Sequence, residues 1–256
     1  MRQTNSILQK DASELFGGGK AEADVETGTT TNVEAFLSSV FTYMAAALLI
    51  SGALAYAFGE TYLKEYLFYE TRAGGHGMTG LGWIVTLSPL AFILVMNFGM
   101  QKLSVNTLML LFIAFSACMG MSLGSIFLTY TSASIFQTFG VAGITFGIMA
   151  VVGYTTKTDL TKLGKLLTMA LIGILIAMVI NIFIGSGGLN LVISILGVIV
   201  FTGLTAYETQ QLKRIGSGVE YGSESATKLA LMGAMSLYLT FINLFLFLLQ
   251  LMGNRE

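Results

Sequence analysis

The sequence predicts an all-α integral membrane protein, a bundle of seven transmembrane helices. Of its 256 residues 54% are apolar and only 11% are charged, whereas an ordinary soluble domain has about 25% charged residues. Apolar runs of near-membrane length recur seven times along the chain. These runs are continuously apolar rather than alternating with a period of two, which favours helices over a membrane β-barrel.

Composition also excludes several classes of function. With 13 Lys and Arg against 14 Asp and Glu the net charge is −1, so the chain lacks the basic surface that nucleic acid requires. The single cysteine, Cys118, forms no disulfide within the chain. Together with the single histidine, His76, it is too little for a zinc site of His and Cys. Because the sequence contains no catalytic set of residues, we expect no enzymatic activity and no cofactor.

The chain divides into a tail and a membrane domain. Residues 1–34 are polar and rich in Gly, Thr and Glu, which predicts a disordered tail. They lack the order of basic, apolar and small residues that marks a cleavable signal peptide, so we expect the first apolar segment to remain as a membrane anchor. Residues 35–256 form the predicted seven-helix transmembrane domain.

Each apolar run meets or approaches the roughly 20 residues that a helix needs to cross the hydrocarbon core of a bilayer. The runs are about Ala35 to Phe58, Leu81 to Met100, Val105 to Tyr130, Ser132 to Tyr154, Leu166 to Ile184, Leu189 to Tyr207 and Leu229 to Met252. Small residues recur at helical spacing in the third run (Ser116, Gly120, Gly124) and in the fourth (Gly143, Gly147). Such spacing lets helix backbones approach closely, although Gly is also common in membrane helices generally.

Lysine and arginine are unevenly distributed between the predicted loops. With the N-terminus inside, the inside segments hold ten of these residues and the outside segments hold three, Lys64, Arg72 and Arg255. The positive-inside rule therefore predicts the N-terminus inside and the C-terminus outside. The longest loop, Glu60 to Gly80, is then outside, and its three tyrosines and one phenylalanine predict that it lies at the level of the lipid headgroups.

One carboxylate lies close to a predicted span. An Asp at the bilayer centre costs roughly 2.5–3.5 kcal/mol on insertion scales, so an ionisable residue in a span suggests a function. Glu208 falls at the end of the sixth run, shortly before Lys213 and Arg214. One interpretation is an interfacial carboxylate paired with Lys213 or another loop cation. The other is a carboxylate removed from water that changes its protonation near neutral pH.

The seventh run carries polar residues that could meet this carboxylate. Ser236, Thr240 and Asn243 are spaced i, i+4, i+7 and form a polar stripe on an otherwise apolar helix. Asn181 adds a second buried amide in the fifth run. Such a stripe must face protein or water rather than lipid. It indicates either hydrogen bonds that hold the bundle together or a path for ions.

The loop before the fifth run contains Lys157, Thr158 and Asp159. Thr158 or Asp159 can cap the start of the following helix, where a carboxylate is also favoured by the helix dipole. The alternative is a gating contact. The residues to which we assign either capping or gating are Asp159, Lys157, Asn181, Lys213 and Arg214.

Three stretches of the sequence resemble the Bax inhibitor-1 (transmembrane Bax-inhibitor-motif) family, in particular its bacterial members. They are Gly153 to Leu160 before the fifth span, Ala206 to Gln210 at the end of the sixth, and Ser236 to Phe245 in the seventh. The resemblance implies that six helices surround a central, more polar last helix. It also implies a pH-sensitive calcium leak channel in which a carboxylate on the sixth helix and another on the seventh share a proton.

The sequence departs from that family pattern in two places. Glu208 stands where many members have Asp, and Thr240 stands where the second Asp would be. A further acidic residue found in the second span of some members has no counterpart between Leu81 and Met100. We therefore expect a switch with one carboxylate, in which Thr240 donates a hydrogen bond to Glu208. In this switch Glu208, Thr240 and Asn243 sense ions or protons. Glu208 is also the expected contact for a passing calcium ion, since calcium prefers oxygen ligands.

Two functions follow from these observations. The first is a calcium (cation) leak channel in the cytoplasmic membrane of a bacterium, with the lipid bilayer, calcium and protons as partners. The second is a non-conducting regulator that binds other membrane proteins, such as a membrane AAA protease. In that case Glu208 has a structural role only.

Overall fold

The computed structural model describes the backbone of residues 4–71 and 75–254, with side chains from Asn32 onwards, and within them seven helices are long and apolar enough to cross a membrane. The predicted all-α, seven-span fold is confirmed. The elements are α1 (Thr4–Glu60), α2 (Lys64–Leu67), β1 (Phe68–Glu70), β2 (His76–Met78), α3 (Gly80–Gly99), α4 (Val105–Leu123), a 3-10 helix (Gly124–Leu128), α5 (Ser132–Thr155), α6 (Thr161–Ile184), α7 (Gly187–Ser217) and α8 (Glu224–Met252). The 3-10 helix completes the third span.

The predicted disordered tail, residues 1–34, lies almost entirely outside the residues whose side chains are described. Helix α1 begins at Thr4, and its part able to cross a membrane is Asn32–Glu60. Packing against the bundle starts with Val33 and Phe36, which are buried. The disorder of residues 1–34 and the division of the chain at that point stay predictions.

The sixth span differs most from its predicted bounds. The apolar run ends at Tyr207, but α7 continues to Ser217. An apolar run measures only what can lie in lipid, whereas Gln, Leu, Lys and Arg continue a helix readily once it leaves the hydrocarbon. Glu208 therefore lies more than two turns inside a continuous helix rather than at its end, which corrects the sequence prediction.

The last helix is the centre of the bundle, as the family resemblance implies. Of the membrane-length part of α8, 67% is buried, against 11% to 44% for the other six spans. It packs against α1, α4, α5 and α7, and its residues Leu231, Leu237 and Tyr238 are fully buried. Thr240, in the polar stripe of α8, is buried and therefore faces other helices rather than lipid.

The two glycine patterns behave differently. A Cβ on Gly120 would lie 2.5 Å from the carbonyl oxygen and 2.6 Å from the Cα of Ser51, so α4 and α1 are in backbone contact there. At Gly143 and Gly147 a Cβ would meet nothing within 4 Å. The expected close helix approach is present at Gly120, while among the described residues Gly143 and Gly147 pack against no neighbouring helix.

The loop between the first two long helices forms a small hairpin. Strands β1 and β2 pair antiparallel, with Glu70 opposite His76. Tyr62, Tyr66 and Tyr69 are more than half exposed, whereas Phe68 is buried. The tyrosines are thus exposed, and their position among lipid headgroups stays a prediction. Residues 72–74, including part of the Gly-rich stretch, fall outside the description.

Gly120→Val should destabilise the protein by about 1–3 kcal/mol, because the added side chain overlaps the backbone of Ser51. Gly143→Val is the matched control, since it makes the same chemical change on an open helix face. Unfolding of both variants in detergent measures the difference. Equal destabilisation by the two substitutions would contradict the backbone contact between α1 and α4.

Candidate functional site

The Glu208 carboxylate is held by two hydroxyl groups of the central helix. Ser236 Oγ donates to Glu208 Oε1 at 3.0 Å, and Thr240 Oγ1 donates to Glu208 Oε2 at 2.8 Å. Ser236 and Thr240 are four residues apart on α8, so they lie one turn apart on the same face. The hydrogen bond between Thr240 and Glu208 that the sequence suggested is therefore present, and Ser236 supplies a second one.

No cation neutralises Glu208 among the residues that the structure describes. The ion pairs there are Arg214 with Asp159 and Lys228 with Glu224. Lys213 instead donates from Nζ to the carbonyl oxygen of Tyr154 at 2.8 Å and lies 4.7 Å from the centre of its ring.

The interpretation that Glu208 pairs with Lys213 is therefore wrong. Residues five apart lie about 140° from each other around a helix, so the two side chains leave α7 in different directions. Glu208 faces α8, while Lys213 faces the end of α5.

A cleft of about 440 Å³ lies beside Glu208, between α3, α7 and α8. Its polar lining residues include Asn97, Gln211 and Ser236, and most of the others are apolar. Asn97 Nδ2 donates to the carbonyl of its own helix at Ile93, and Gln211 Nε2 donates to the Tyr207 hydroxyl. These bonds leave the side-chain amide oxygens of Asn97 and Gln211 as unused acceptors among the described residues.

Two of the predicted polar residues are not part of this cluster. Asn243 Nδ2 donates to the carbonyl oxygen of Leu239 on its own helix at 2.8 Å. Asn181 Oδ1 accepts from the backbone N–H of Ser186, just after the end of α6. Asn181 lies about 30 Å along α6 from the start of that helix. The geometry gives Asn181 a capping contact and brings neither residue to Glu208.

The loop between α5 and α6 is fastened to α7 by an ion pair. Asp159 Oδ1 accepts from the backbone N–H of Thr161 at 2.9 Å and from its hydroxyl at 2.6 Å, so it satisfies the first turn of α6 as a capping residue does. Arg214 Nη2 donates to the same oxygen at 2.6 Å. The hydrogen bonds from Thr161, and then that from Arg214, hold the pKa of Asp159 well below its usual range.

A second fastening of this loop was not predicted. Gln210 is buried on α7. Its Nε2 donates to the carbonyl oxygen of Thr158 at 2.8 Å, and its Oε1 accepts from the N–H of Leu160 at 2.9 Å. A side-chain amide can donate to a backbone carbonyl and accept from a backbone N–H at the same time. The sequence signal for this contact was a Gln just beyond an apolar run. Lys157 is exposed and takes part in none of these contacts.

Fold and site together define a multi-pass helical membrane protein that holds one carboxylate between its last two spans. The family model described as inhibitor of apoptosis-promoting Bax1 matches residues 33–256. The chain therefore belongs to the Bax inhibitor-1 family, as the three sequence stretches indicated.

Relatives from several bacteria are similar over nearly their whole length. The chain is 40% identical over 226 residues to the inner membrane protein YbhL of Escherichia coli, which covers 88% of this chain and 93% of YbhL. It is 42% identical over 221 residues to an uncharacterized protein of Borreliella burgdorferi, covering 86% and 92%. A Caulobacter vibrioides protein is 38% identical over 241 residues, covering 93% and 94%.

Asp159→Asn weakens the contacts of the α5–α6 loop with Thr161 and Arg214. It should lower the free energy of unfolding by an amount that is the same at pH 6 and pH 8. The pKa of Asp159 is lowered, so the stability it contributes is fully present above its unfolded pKa and is lost as pH falls below about 4. Unfolding of wild type and variant across pH 3–8 measures the difference. A difference that varies between pH 6 and pH 8 would show that Asp159 titrates there.

Proposed function

We propose that this protein is a pH-sensitive cation leak, with calcium as the passing ion and Glu208 as the proton-sensing group. The observation that carries the proposal is a carboxylate in a membrane-spanning helix whose two oxygens are bound by hydroxyls of the central helix, with no cation beside it among the described residues. An intramembrane carboxylate without a structural ion pair is the type of residue that marks ion and proton paths.

Protonation of Glu208 changes the contact between α7 and α8. The ionised carboxylate accepts from both Ser236 and Thr240. A protonated carboxyl carries an O–H that must donate, so one of the two hydroxyls has to accept instead. That hydroxyl can turn to a carbonyl of its own helix. One carboxylate is therefore sufficient for a switch, without the second acidic residue of the family pattern.

The other titratable residue of the cleft is Tyr207, whose hydroxyl already accepts from Gln211. The nearby cations contact other residues: Arg214 binds Asp159, and Lys213 binds the carbonyl of Tyr154. The pH response is therefore assigned to Glu208.

The number of oxygen ligands in the cleft fits weak, transient binding of an ion better than tight binding. Calcium takes 6–8 oxygen ligands at a tight site. The cleft offers the Glu208 carboxylate, two amide oxygens and the Ser236 hydroxyl, so a calcium ion there would keep part of its water shell. In the described part of the chain no group of three His, Cys, Asp or Glu residues is placed to hold a metal.

The proposed location is the cytoplasmic membrane of a bacterium, which the similarity to YbhL, an inner membrane protein of Escherichia coli, supports. The distribution of Lys and Arg supports an N-terminus inside and a C-terminus outside. In this orientation the Glu208 cleft is at the cytoplasmic half of the bundle, near the loop that joins α7 and α8.

Calcium flux into liposomes that contain the purified protein should depend on pH, and Glu208→Gln should remove that dependence. The expected result is a wild-type flux that differs between pH 6, 7 and 8 and a variant flux that is the same at all three, because the amide that replaces the carboxylate cannot ionise. Glu220→Gln is the matched control: it removes an exposed carboxylate from the loop after α7 and should keep the wild-type pH profile. An unchanged profile in Glu208→Gln would contradict the proposal.

A second candidate function is a non-conducting regulator that binds other membrane proteins, such as a membrane AAA protease. The open face of α5 at Gly143 and Gly147 favours it, since small residues let a second helix approach closely. This function predicts no calcium flux from wild type at any pH, together with altered turnover of protease substrates when the gene is deleted. Robust flux from the wild type would count against it.

A further inference from the structure

An apolar cavity of about 220 Å³ lies between α1, the 3-10 helix after α4, α5 and α8, away from the Glu208 cleft. Gly52 and Tyr56 of α1 and Phe136 and Phe139 of α5 line it, and Phe245 of α8 forms part of its inner wall. Phe136 is 62% exposed and Tyr56 is 51% exposed. The cavity is therefore open to the surroundings of the bundle between α1 and α5.

The opening lies between two membrane-spanning segments, α1 and α5. Gly52 lies about 12 Å of helix before the end of α1, and Phe136 lies about 6 Å of helix after the start of α5. Both positions are inside membrane-spanning segments. The cavity is thus in contact with lipid chains rather than with bulk water.

An occupant of the cavity needs no polar group. No charged residue lines it. Its Ser51 hydroxyl donates to the carbonyl oxygen of Ser116 at 2.7 Å and is joined to the hydroxyl of Tyr238 at 2.7 Å. An apolar cavity of about 150 Å³ can stay free of water and bind a ligand such as benzene.

We propose that this cavity is a binding site for one hydrocarbon chain of a membrane lipid. The occupant is a lipid chain because lipid is the medium at the opening, the walls are apolar, and the volume exceeds that of cavities known to bind small apolar molecules. The proposal does not rest on the proposed function, since it involves neither Glu208 nor an ion.

A molecule bound in the cavity contacts the central helix, α8. Ile242 and Phe245 of α8 line the cavity, and Ser51 in its wall is hydrogen-bonded to Tyr238. Tyr238 lies on α8 between Ser236 and Thr240. A bound chain therefore packs against the same helix that holds the Glu208 carboxylate, at a different face and depth.

The test uses a phosphatidylethanolamine that carries a photoreactive diazirine in the upper half of one acyl chain. Full-length protein in vesicles of phosphatidylethanolamine and phosphatidylglycerol is irradiated at a low fraction of the probe, and the labelled peptides are identified by mass spectrometry. Labelling is expected at Ile242 and Phe245, which line the cavity and are buried, so that only a chain inside the cavity reaches them. Excess unlabelled lipid should reduce this labelling. Gly52→Phe should abolish this labelling, because a side chain at Gly52 has open space to enter.

Gly173→Phe is the matched control. A Cβ at Gly173 also meets nothing within 4 Å, but the residue lies on α6, so labelling of Ile242 and Phe245 should be unchanged. Should Gly52→Phe fail to fold, Gly52→Leu makes the same test with a smaller group. Equal labelling in the Gly52 and Gly173 variants would overturn the proposal. So would a dimer that Gly52→Phe dissociates while lipid labelling persists, because the occupant would then be a second copy of the chain.

Discussion

The Glu208 carboxylate can remain in a membrane-spanning helix because Ser236 and Thr240 of α8 bind both of its oxygens. A charge in a medium of low dielectric is costly unless its hydrogen bonds are made. The two hydroxyls are available only because α8 is surrounded by other helices, so its polar stripe is kept from lipid. The presence of Glu208 on α7 therefore depends on the central position of the last helix.

The three sequence stretches that resemble the family meet at one end of the bundle. Gly153 of the first stretch packs directly against the backbone of Ala206 in the second, which leaves no room for a Cβ. Gln210 fastens the α5–α6 loop to α7, and the third stretch supplies the hydroxyls for Glu208. The contact of Glu208 with α8 and the contact of Gln210 with the α5–α6 loop therefore lie within one turn of α7.

Much of the fold could be predicted from hydropathy, because the runs of apolar residues report directly which segments can lie in lipid. The contact between Glu208 and Thr240 could also be suggested, since both are polar residues at membrane depth. The directions in which side chains leave their helices could not be predicted. Lys213 turns to Tyr154 because of its angle around α7, and Asn243 satisfies its amide on its own helix. The position of Gln210 just beyond an apolar run marks a polar residue near the membrane surface, but its partners depend on how the α5–α6 loop folds back.

Infrared difference spectroscopy of the protein in lipid, recorded as the pH is changed, tests the role of Glu208 most directly because it detects a carboxyl group that gains or loses a proton. We expect a carboxyl band that is absent in Glu208→Gln and shifted in Thr240→Val, since its frequency depends on the hydrogen bond from Thr240. A band that remains in Glu208→Gln, or that does not move in Thr240→Val, would contradict a proton-sensing carboxylate held by the central helix.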